Sequence, residues 1–453
     1  MIASIILAAG KGTRMKSKIP KVLHKVSGKP LVWYVCQAAS YIGVKESILV
    51  VGHQAREVEM EIGDKYKYAL QEEQLGTGHA VMQAEPYLSK EVETVVVLCG
   101  DTPLLTGSTL QKLLDYHQGA KASATILSAI LADPSNYGRI VRNAKGQVNM
   151  IVEEKDALPQ ERAIKEINSG TYCFNREALF SALKEITPEN KQGEYYLTDV
   201  IGILAKNNQK VEAIAVEDPV EISGINTRIH LAEAEKVFQR RVNQKWMLEG
   251  VTIIDPDVTY IEPSVKIGMD TVIFPFSYLK GDTKIGEDCV IGPHADLKNT
   301  HVGDSTHINT TIALDARIGS NCKIGPFSYL RPETQLADNV KIGDFVEIKK
   351  TFVGENSKIP HLSYIGDCTI GENVNVGAGT ITCNYDGKNK WQTLLEDGSF
   401  IGSNTSLVAP VVVGKNAVIG AGSTITEDIP AEALAIARER QKNILNWADR
   451  KKK

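Results

Sequence analysis

The chain has 453 residues, more than one hydrophobic core ordinarily holds, so its length predicts two or three domains. Hydrophobic residues make up 43% and charged residues 23%, as in soluble globular proteins, and the formal net charge of -4 argues against nucleic acid or an anionic membrane as a partner. With no apolar run of ~18 residues, no signal-peptide start and seven scattered cysteines without a C-x-x-C pair, we expect a cytoplasmic protein without disulfides, a zinc site or a membrane span.

The first predicted element is the apolar run that opens IILAAGKGTRMKSKIPK, residues 5–21. This strand ends in two alanines and Gly10, whose small size lets the following loop approach a ligand closely. Backbone N–H groups of such a loop can point at phosphates, and Arg14 and Lys21 add positive charge. The stretch has neither the third glycine of the dinucleotide-binding loop nor the G-x-x-x-x-G-K-[ST] pattern. These residues alone leave open a phosphate site and a solvated basic turn.

Apolar runs and helical patterns alternate through residues 1–226. The runs typical of strands are SIILAA, SILVV, TVVVLC, ATILSAIL, VNMIV, TYCF and VEAIAV. The helical patterns between them are PLVWYVCQAAS, GTGHAVMQAEPYL, STLQKLLDYH and REALFSALKEI. Several strand runs are continuously apolar, as in strands covered on both faces. The alternation predicts an α/β domain with a mostly parallel, Rossmann-like sheet.

Residues 227–250 have the pattern of a helix that links two domains. Apolar residues recur there at helical spacing with charges between them, at Leu231, Ala234, Phe238, Val242 and Trp246. Gly250 suits the end of this helix, because glycine adopts the conformation that closes a helix easily.

From residue 251 the period of the aliphatic residues changes to six. The repeat runs through Ile261, Ile267, Ile273, Leu279, Ile285, Ile291, Leu297, Val302, Ile308, Ile318, Ile324, Leu330, Leu336, Ile342, Ile348, Ile401, Leu407, Val413, Ile419 and Ile425. A glycine often follows, as in IGED, IGPH and VGAG, and allows the chain to turn a corner. Six-residue repeats build a parallel β-helix, in which each aliphatic side chain stacks on its counterpart one coil away. We expect this domain over 251–430.

Two segments depart from the six-residue repeat. The passage CNYDGKNKWQTLLEDGS, residues 383–399, predicts a loop expelled from the coil, and loops of this length are often functional. After Pro430, the segment AEALAIARERQKNILNWADR predicts a helical tail over 431–453.

The stretch LAAGKGTRMKSKIPK resembles the signature of sugar-1-phosphate nucleotidyltransferases, since it combines glycines, an arginine and a Pro-Lys pair. The motifs QEEQLGTGHA, LCGDTPLL, YGRI, IVEEKDA, INSG and ISGIN follow in the order that this family shows. With the hexapeptide half, nearly the whole chain resembles the bifunctional bacterial N-acetylglucosamine-1-phosphate uridyltransferase/glucosamine-1-phosphate N-acetyltransferase family. The resemblance implies that the β-helix is left-handed. It also implies acetyl transfer from acetyl-CoA to glucosamine 1-phosphate, then uridylyl transfer from UTP, giving UDP-N-acetylglucosamine and pyrophosphate.

The resemblance implies roles for residues of the first domain. Arg14 and Lys21 are catalytic and hold the triphosphate and the departing pyrophosphate. Asp101 and Asn226 are ligands of Mg²⁺, a hard ion that prefers oxygen; without the resemblance, Asp101 reads as a cap or turn residue. Gln71 reads uracil through one donor and one acceptor. The other residues implied to contact UTP or UDP-N-acetylglucosamine are Leu7, Ala8, Ala9, Gly10, Gly76, Thr77, Gly138, Glu153 and Asn168, besides Lys21 and Asn226.

In the β-helix, the resemblance makes His361 of KIPHLSY the general base for the amine of glucosamine 1-phosphate. Arg331 and Lys349 would hold the sugar phosphate, and Tyr364 and Asn375 would place the sugar. The residues assigned to acetyl-CoA are Ala378, Asn384, Tyr385, Ser403, Ala421 and Arg438, with Asn384 and Tyr385 also beside the sugar. Family members often have small residues before this histidine. Here Ile359 lies at an in-phase repeat position, so we expect little effect on the chemistry.

The resemblance also implies a homotrimer that acts on small molecules, with Mg²⁺ as cofactor and UTP and acetyl-CoA as co-substrates. The β-helix has flat faces at which copies of the chain can meet. Four aromatic residues of its coils either lie at such contacts between copies or are buried against the linker or the loop: Phe276, Tyr278, Phe327 and Tyr329. One alternative is a single-site sugar-1-phosphate nucleotidyltransferase with a structural β-helix, in which His361 and Arg331 would have no purpose. Another alternative is a non-catalytic protein that senses sugar nucleotides, in which Lys21 and Asp101 would have no catalytic purpose.

Overall fold

In the computed structural model, which describes residues 1–448, the chain divides into two units, Met1–Phe238 and Gln239–Lys453. The helix Arg228–Leu248 lies where the sequence predicts a linking helix. Its Ala234 and Phe238 are buried in a core of the first unit, and its Val242 and Trp246 in the core of the second. Among the described residues, no helix combines the length and the apolar character needed to cross a bilayer.

The first unit is built on a mixed sheet. Its strands, in spatial order, are Val211–Ala215, Ala124–Ile130, Glu166–Asn175, Thr94–Cys99, Ile2–Leu7, Glu46–Val51 and Lys67–Leu70. Neighbours on this path are parallel except at Glu166–Asn175, which is antiparallel to both of its neighbours. The antiparallel strands Arg139–Arg142 and Val148–Val152 extend from it. The predicted α/β class with a mostly parallel sheet is confirmed.

Helices cover both faces of this sheet, which explains why its strands are continuously apolar. The helices of the unit are Leu31–Tyr41, Ala55–Ile62, Thr77–Ala84, Gly107–Ala120, Pro159–Arg162, Arg176–Leu183 and Asp199–Lys206, besides the start of Arg228–Leu248. Ile5 is buried in one core and the next residue, Ile6, in another, because successive side chains of a strand point to opposite faces. The predicted elements omit Ala55–Ile62, which buries only Val58 and is otherwise too polar to give an apolar pattern.

Shorter elements complete the first unit and link it to its loops. They are the strands Lys25–Val26 and Lys29–Pro30 and the 3₁₀ turns Thr13–Met15, Lys21–Leu23, Glu85–Tyr87 and Pro219–Ile222. The first two of these turns belong to the basic loop after the opening strand, so Arg14 and Lys21 are held on turns of regular backbone.

The second unit is a parallel β-helix that begins with the strand Thr252–Ile253, which the 3₁₀ turn Pro256–Val258 follows. Its first strands each pair in parallel with the third strand along the chain, and from Gln335–Leu336 to Tyr364–Ile370 each pairs in parallel with the second. The sheet of 11 strands contains Thr252–Ile253, Val272–Ile273, Val290–Ile291, His307–Ile308, Lys323–Ile324, Lys341–Asp344, Lys358–His361, Asn375–Val376, Phe400–Ile401, Val418–Ile419 and Leu434–Ala435.

The remaining strands of the β-helix form a sheet of 17 strands. They are Tyr260–Ile261, Lys266–Ile267, Tyr278–Lys280, Lys284–Ile285, Asp296–Lys298, His301–Val302, Thr311–Leu314, Arg317–Ile318, Ser328–Leu330, Gln335–Leu336, Glu347–Val353, Tyr364–Ile370, Ile381–Cys383, Thr393–Leu395, Ser406–Val408, Val411–Val413 and Thr424–Ile425. Every aliphatic residue of the predicted six-residue repeat is buried in one continuous core. The repeat-built β-helix is therefore confirmed.

Two predictions about the second unit are wrong. The expelled loop is shorter than 383–399, because Thr393–Leu395 returns to the coil as a strand and Leu395 is fully buried. The predicted helical tail does not form over residues 431–448. Instead, Leu434–Ala435 pairs with Val418–Ile419, since the open edge of the last coil offers unpaired backbone groups. The rest of that predicted tail, 449–453, lies outside the described residues.

Candidate functional site

A cavity of about 500 Å³ opens at the carboxyl ends of the central strands of the first unit. Leu7 lies opposite Cys99 in two parallel strands, so the loops carrying Gly10 and Asp101 leave the sheet at the same edge. The predicted site residues that line this cavity are Leu7, Ala8, Ala9, Gly10, Lys21, Gln71, Gly76, Thr77 and Asp101. The fold thus gathers residues from three separate motifs into one pocket.

Asp101 and Asn226 meet at one positive charge beside the cavity. The Lys21 ammonium donates to Asp101 Oδ2 and, over 3.1 Å, to Asn226 Oδ1. The Arg14 guanidinium donates to the same Asn226 oxygen over 2.8 Å. Two side-chain oxygens that converge on one cation have the arrangement that a hard divalent ion needs, and a single carboxylate leaves places for phosphate and water oxygens. The residues present therefore fit Mg²⁺.

The amide of Gln71 is held by two neighbours. Its nitrogen donates to the Gly76 carbonyl over 3.0 Å and to His79 Nδ1 over 3.1 Å. Both amide hydrogens are thereby used, and within residues 1–448 no group donates to the amide oxygen. The sequence-based expectation of one donor and one acceptor is therefore not met: Gln71 has only its oxygen left for a ligand.

The residues predicted to contact the sugar form a second group. A Cβ placed on Gly138 would lie 3.1 Å from Ile151 Cγ2, 3.5 Å from Glu153 Oε2 and 3.6 Å from Asn168 Cβ, so Gly138 adjoins both of the other predicted sugar contacts. Thr198 donates a hydrogen bond of 3.1 Å to Glu153 Oε1. Burial raises the pKa of the Glu153 carboxyl, because the charged form loses water. Asn168 is fixed by a hydrogen bond of 2.7 Å from its amide to Tyr172 Oη.

In the second unit, His361 forms a pair with Asp344 of the preceding coil. The two residues are directly opposite in neighbouring parallel strands, and His361 Nδ1 lies 2.6 Å from Asp344 Oδ1. Since a carboxylate accepts, the imidazole carries its proton on Nδ1, and Nε2 of the neutral ring is left free to accept a proton. The same hydrogen bond holds the pKa of Asp344 below its usual range.

Three cationic side chains of the second unit gather around Lys349. Arg331 donates to Glu347 over 2.8 Å. The positive charge of the neighbouring Lys390 lowers the pKa of Lys349, the charge of Arg331 adds to the effect, and Asp367 opposes it. The two carboxylates do not neutralise the three cations, so the cluster suits an anionic ligand such as a phosphate.

Tyr364 and Asn384 meet above Gly366. A Cβ on Gly366 would lie 2.5 Å from Tyr364 Oη and 2.9 Å from Asn384 Nδ2, so this position needs glycine. Asn375 lies on the next strand from Lys358–His361. Tyr385 is exposed and bridges to Lys390 across a small hairpin.

The residues predicted for acetyl-CoA follow one corner of the β-helix. Asn404 N donates to the Ala378 carbonyl and Gly422 N to the Ser403 carbonyl, each over 2.7 Å, so successive coils stack there. Ala421 precedes Gly422, on which a Cβ would lie 3.9 Å from Arg438 Cδ. Next to Ala378, the backbone N–H of Gly379 donates a hydrogen bond of 2.9 Å to the carbonyl of Leu362, the residue after His361. A continuous corner therefore connects His361 with Arg438.

Comparison with known proteins decides the family. The nucleotidyl transferase family model matches residues 3–240, and the bacterial transferase hexapeptide (six repeats) model matches 264–295, 315–350 and 393–427. The chain is 55% identical to the bifunctional protein GlmU of Heliobacterium modesticaldum over 99% of this chain and 98% of that protein. It is 53% identical to that of Halalkalibacterium halodurans over 99% and 98% of the two chains, and 54% identical to that of Carboxydothermus hydrogenoformans over 97% and 98%.

The chain belongs to the GlmU family of bifunctional proteins. It is thus an enzyme with a uridylyltransferase unit and a hexapeptide-repeat acetyltransferase unit, and the predicted pair of activities is confirmed over a single-site enzyme. A crystal structure of a UDP-glucose pyrophosphorylase complexed with UDP-glucose covers 53% of this chain and all of that one, with a TM-score of 0.45 and 21% identity, a likeness too low to support an argument.

Sequence analysis gave no role to three residues that neighbour the candidate site residues. Lys390 lies in the loop that was predicted to be functional, but only the folded hairpin brings its charge to Lys349. Asp344 precedes His361 by 17 residues, one coil of the β-helix, and this spacing was a usable signal. His79 gave no signal, because its contact with Gln71 depends on how a loop meets a helix.

Proposed function

We propose that the cavity of the first unit binds UTP and N-acetylglucosamine 1-phosphate. The observation that carries this assignment is the convergence of Asp101 and Asn226 on the Lys21 ammonium beside a cavity lined by small residues. The loop after the opening strand approaches the phosphates through its backbone N–H groups. Gln71 accepts from the base, and Gly138, Glu153 and Asn168 contact the sugar.

The reaction in this site is attack of the sugar phosphate on the α-phosphorus of UTP, with pyrophosphate as leaving group. Arg14 and Lys21 hold the triphosphate and neutralise charge as pyrophosphate departs. The attacking phosphate is already ionised, so the site needs no general base. Asp101 and Asn226 would hold Mg²⁺, which would supply positive charge to the phosphate oxygens.

We infer that the second unit transfers an acetyl group to glucosamine 1-phosphate at His361. Its free Nε2 takes a proton from the substrate amine, while Asp344 keeps the ring in the right tautomer. Arg331, Lys349 and Lys390 hold the sugar phosphate. Acetyl-CoA lies along the corner from Ala378 to Arg438, and its thiolate leaves as the amide forms. The product is the substrate of the first unit, and UDP-N-acetylglucosamine supplies envelope glycan synthesis in the cytoplasm.

We also propose that the chain assembles as a homotrimer through an exposed apolar corner of the β-helix. Phe276, Phe327 and Phe345 are 50%, 58% and 58% exposed, and Leu362, beside His361, is 62% exposed. The backbone φ of each is positive, a conformation that bulky residues rarely adopt. Retaining strained, exposed phenylalanines is understandable if a second copy covers them.

Two single-site variants test the proposed function together. Given glucosamine 1-phosphate, acetyl-CoA, UTP and Mg²⁺, Asp101→Asn should accumulate N-acetylglucosamine 1-phosphate, and His361→Ala should stop before acetylation. His361→Ala should lower the kcat of acetyl transfer by about 10²–10⁴-fold. A mixture of both variants should again yield UDP-N-acetylglucosamine, because the intermediate passes through solution. Failure of the mixture, with each variant folded, would contradict two independent sites.

A further inference from the structure

A chain of hydrogen bonds links Gln71 to residues outside the nucleotide cavity. Gln71 lines that cavity, but His79 does not; it lines a separate cavity of about 620 Å³. His79 Nδ1 lies 3.1 Å from Gln71 Nε2, and His79 Nε2 lies 3.1 Å from the side-chain amide of Gln83. His79 therefore touches the base-binding side of the pocket only through Gln71.

The chemistry of the groups determines the direction of each bond in this chain. Gln71 Nε2 must face the Gly76 carbonyl, since a carbonyl can only accept. The second hydrogen of that nitrogen then points at His79 Nδ1, which must carry a lone pair. A neutral imidazole has one acceptor nitrogen, so its proton lies on Nε2. The Gln83 amide nitrogen lies 3.1 Å from that Nε2 and 3.4 Å from the His79 carbonyl, so the Gln83 amide must turn over, giving up the longer contact, for its oxygen to accept the Nε2 proton.

This arrangement favours one pyrimidine over the other. Uracil carries a hydrogen on N3, which pairs with the free Gln71 oxygen, whereas N3 of cytosine is an acceptor and would face that oxygen without a hydrogen. Turning the Gln71 amide over would present its nitrogen instead and suit cytosine. The turned amide would place its oxygen against the Gly76 carbonyl, and His79 could donate to that oxygen only by moving its proton to Nδ1, which would leave the Gln83 oxygen at Nε2 without a donor. Both neighbours therefore oppose the turn.

We propose that His79 is a positioning residue that makes the first unit select UTP over CTP. Its Nδ1 lone pair, with the Gly76 carbonyl, holds the Gln71 amide with the oxygen toward the base. The proposal rests on the proposed role of Gln71 at the uracil ring. It adds that the specificity of Gln71 is set by a residue that does not contact the nucleotide.

The test compares kcat/KM for UTP and for CTP in His79→Asn and His79→Gln, with N-acetylglucosamine 1-phosphate and Mg²⁺. The asparagine amide oxygen replaces the Nδ1 acceptor, and the ratio of UTP to CTP efficiency should stay within about threefold of the wild type. Glutamine reaches the position of Nε2 and lacks that acceptor, so the ratio should fall about tenfold or more. Acetyl transfer by each variant checks that the purified chain is active.

The outcomes separate this proposal from the proposed function. Gln71→Ala should raise the KM for UTP; if it does not, Gln71 does not read the base and both ideas fail. If Gln71→Ala weakens UTP use while His79→Gln keeps the wild-type UTP to CTP ratio, the role of His79 is overturned and the nucleotide site stands. An equal fall of the ratio in His79→Asn and His79→Gln would also overturn it, because a lost acceptor would not be the cause.

Discussion

At the scale of single residues, Lys21 contacts the groups that we assign to the metal. Its ammonium donates to both Asp101 and Asn226. A cation in this place occupies the two oxygens that we propose for Mg²⁺. We therefore expect Lys21 and a divalent ion to compete for these oxygens.

Lys21→Met should make this competition measurable. Removing the ammonium removes a cation within hydrogen-bonding distance of both ligands, so the affinity for Mn²⁺ without nucleotide should rise at least about tenfold. Uridylyl transfer should fall, because a phosphate contact is lost. Mn²⁺ binding is measured by electron paramagnetic resonance, with the exposed Lys25→Met as the matched control. Unchanged or weaker Mn²⁺ binding in Lys21→Met would contradict the assignment.

Glu153 should show a trade between stability and sugar binding. Burial raises its pKa in the folded protein, so the charged form destabilises the fold. This cost is absent below the unfolded glutamate pKa of about 4.3 and grows as pH rises through it. Glu153→Gln should therefore raise the Tm at pH 8, leave it nearly unchanged at pH 4, and raise the KM for N-acetylglucosamine 1-phosphate. Equal Tm shifts at both pH values would refute this account.

Residues at the ends of predicted strands were the easiest to place from the sequence. Asp101 follows TVVVLC, and parallel strands deliver their following loops to one sheet edge, so the pattern placed Asp101 at the edge where the cavity lies. Only the family resemblance distinguished a site residue there from a cap or turn residue. The orientation of the Gln71 amide could not be predicted from the sequence, because it depends on His79 and the Gly76 carbonyl. Apolar periodicity records burial, whereas such contacts depend on the direction of single bonds.

At the scale of elements, the hairpin over 384–392 is held by its own hydrogen bonds. Asp386 accepts from the backbone of Lys388 over 2.8 Å, from the backbone of Asn389 over 2.6 Å and from Trp391 Nε1 over 2.7 Å. These bonds, the one from Asn389 foremost, lower the pKa of Asp386 to about 2. The carboxylate thus keeps the hairpin ordered and Lys390 beside Lys349.

Asp386→Ala should loosen the hairpin without unfolding the β-helix. The KM for glucosamine 1-phosphate should rise about tenfold, since the ordering of a phosphate-binding lysine is lost, while the Tm should change little. Asp386→Asn keeps an acceptor oxygen and should lie between the alanine variant and the wild type. A wild-type KM in Asp386→Ala would show that Lys390 is placed by something else.

The limits of sequence analysis at this scale have a physical cause. The β-helix could be predicted because stacking forces an inward aliphatic residue at a fixed period, and Ile342, Ile348 and Ile401 are fully buried as expected. The predicted loop end was wrong although Leu395 lies six residues before Ile401 and so fits the repeat that resumes after the loop. The tail pattern was apolar at helical spacing, but Leu434–Ala435 gained strand pairing instead.

At the scale of the whole molecule, the chain has two units with separate cores. Phe238 is buried with Tyr34 in the first unit, whereas Gln239 donates to the carbonyls of Pro256 and Asp257 in the second. The change of unit therefore occurs inside one helix, between adjacent residues. A hydrophobic pattern cannot show this division, because the helix has the same apolar period on both sides.

A fragment of residues 1–238 should fold and keep uridylyl transfer within a few-fold of the full chain. It contains both faces of the sheet, the cavity and the helix residues that pack in its own core. It should not acetylate glucosamine 1-phosphate. Circular dichroism and the two assays check this, and a fragment ending at residue 226 is the control, because it lacks Ala234 and Phe238. An unfolded 1–238 fragment would show that the first unit depends on the second.

Assembly should depend on the exposed corner of the β-helix. Phe345 stacks on Phe327 with ring centroids 5.4 Å apart, and its φ of 56° suits asparagine better than phenylalanine. Phe345→Asn should therefore relieve backbone strain yet remove apolar area from the interface, and Phe345→Glu should add a buried charge to it. Sedimentation equilibrium should show lighter species for both variants, more so for glutamate. Acetyl transfer should fall with the loss of assembly, because Leu362 of the same corner adjoins His361, whereas uridylyl transfer should persist. If both variants sediment as wild-type trimers, the copies meet through another face and the strain at Phe345 needs a different explanation.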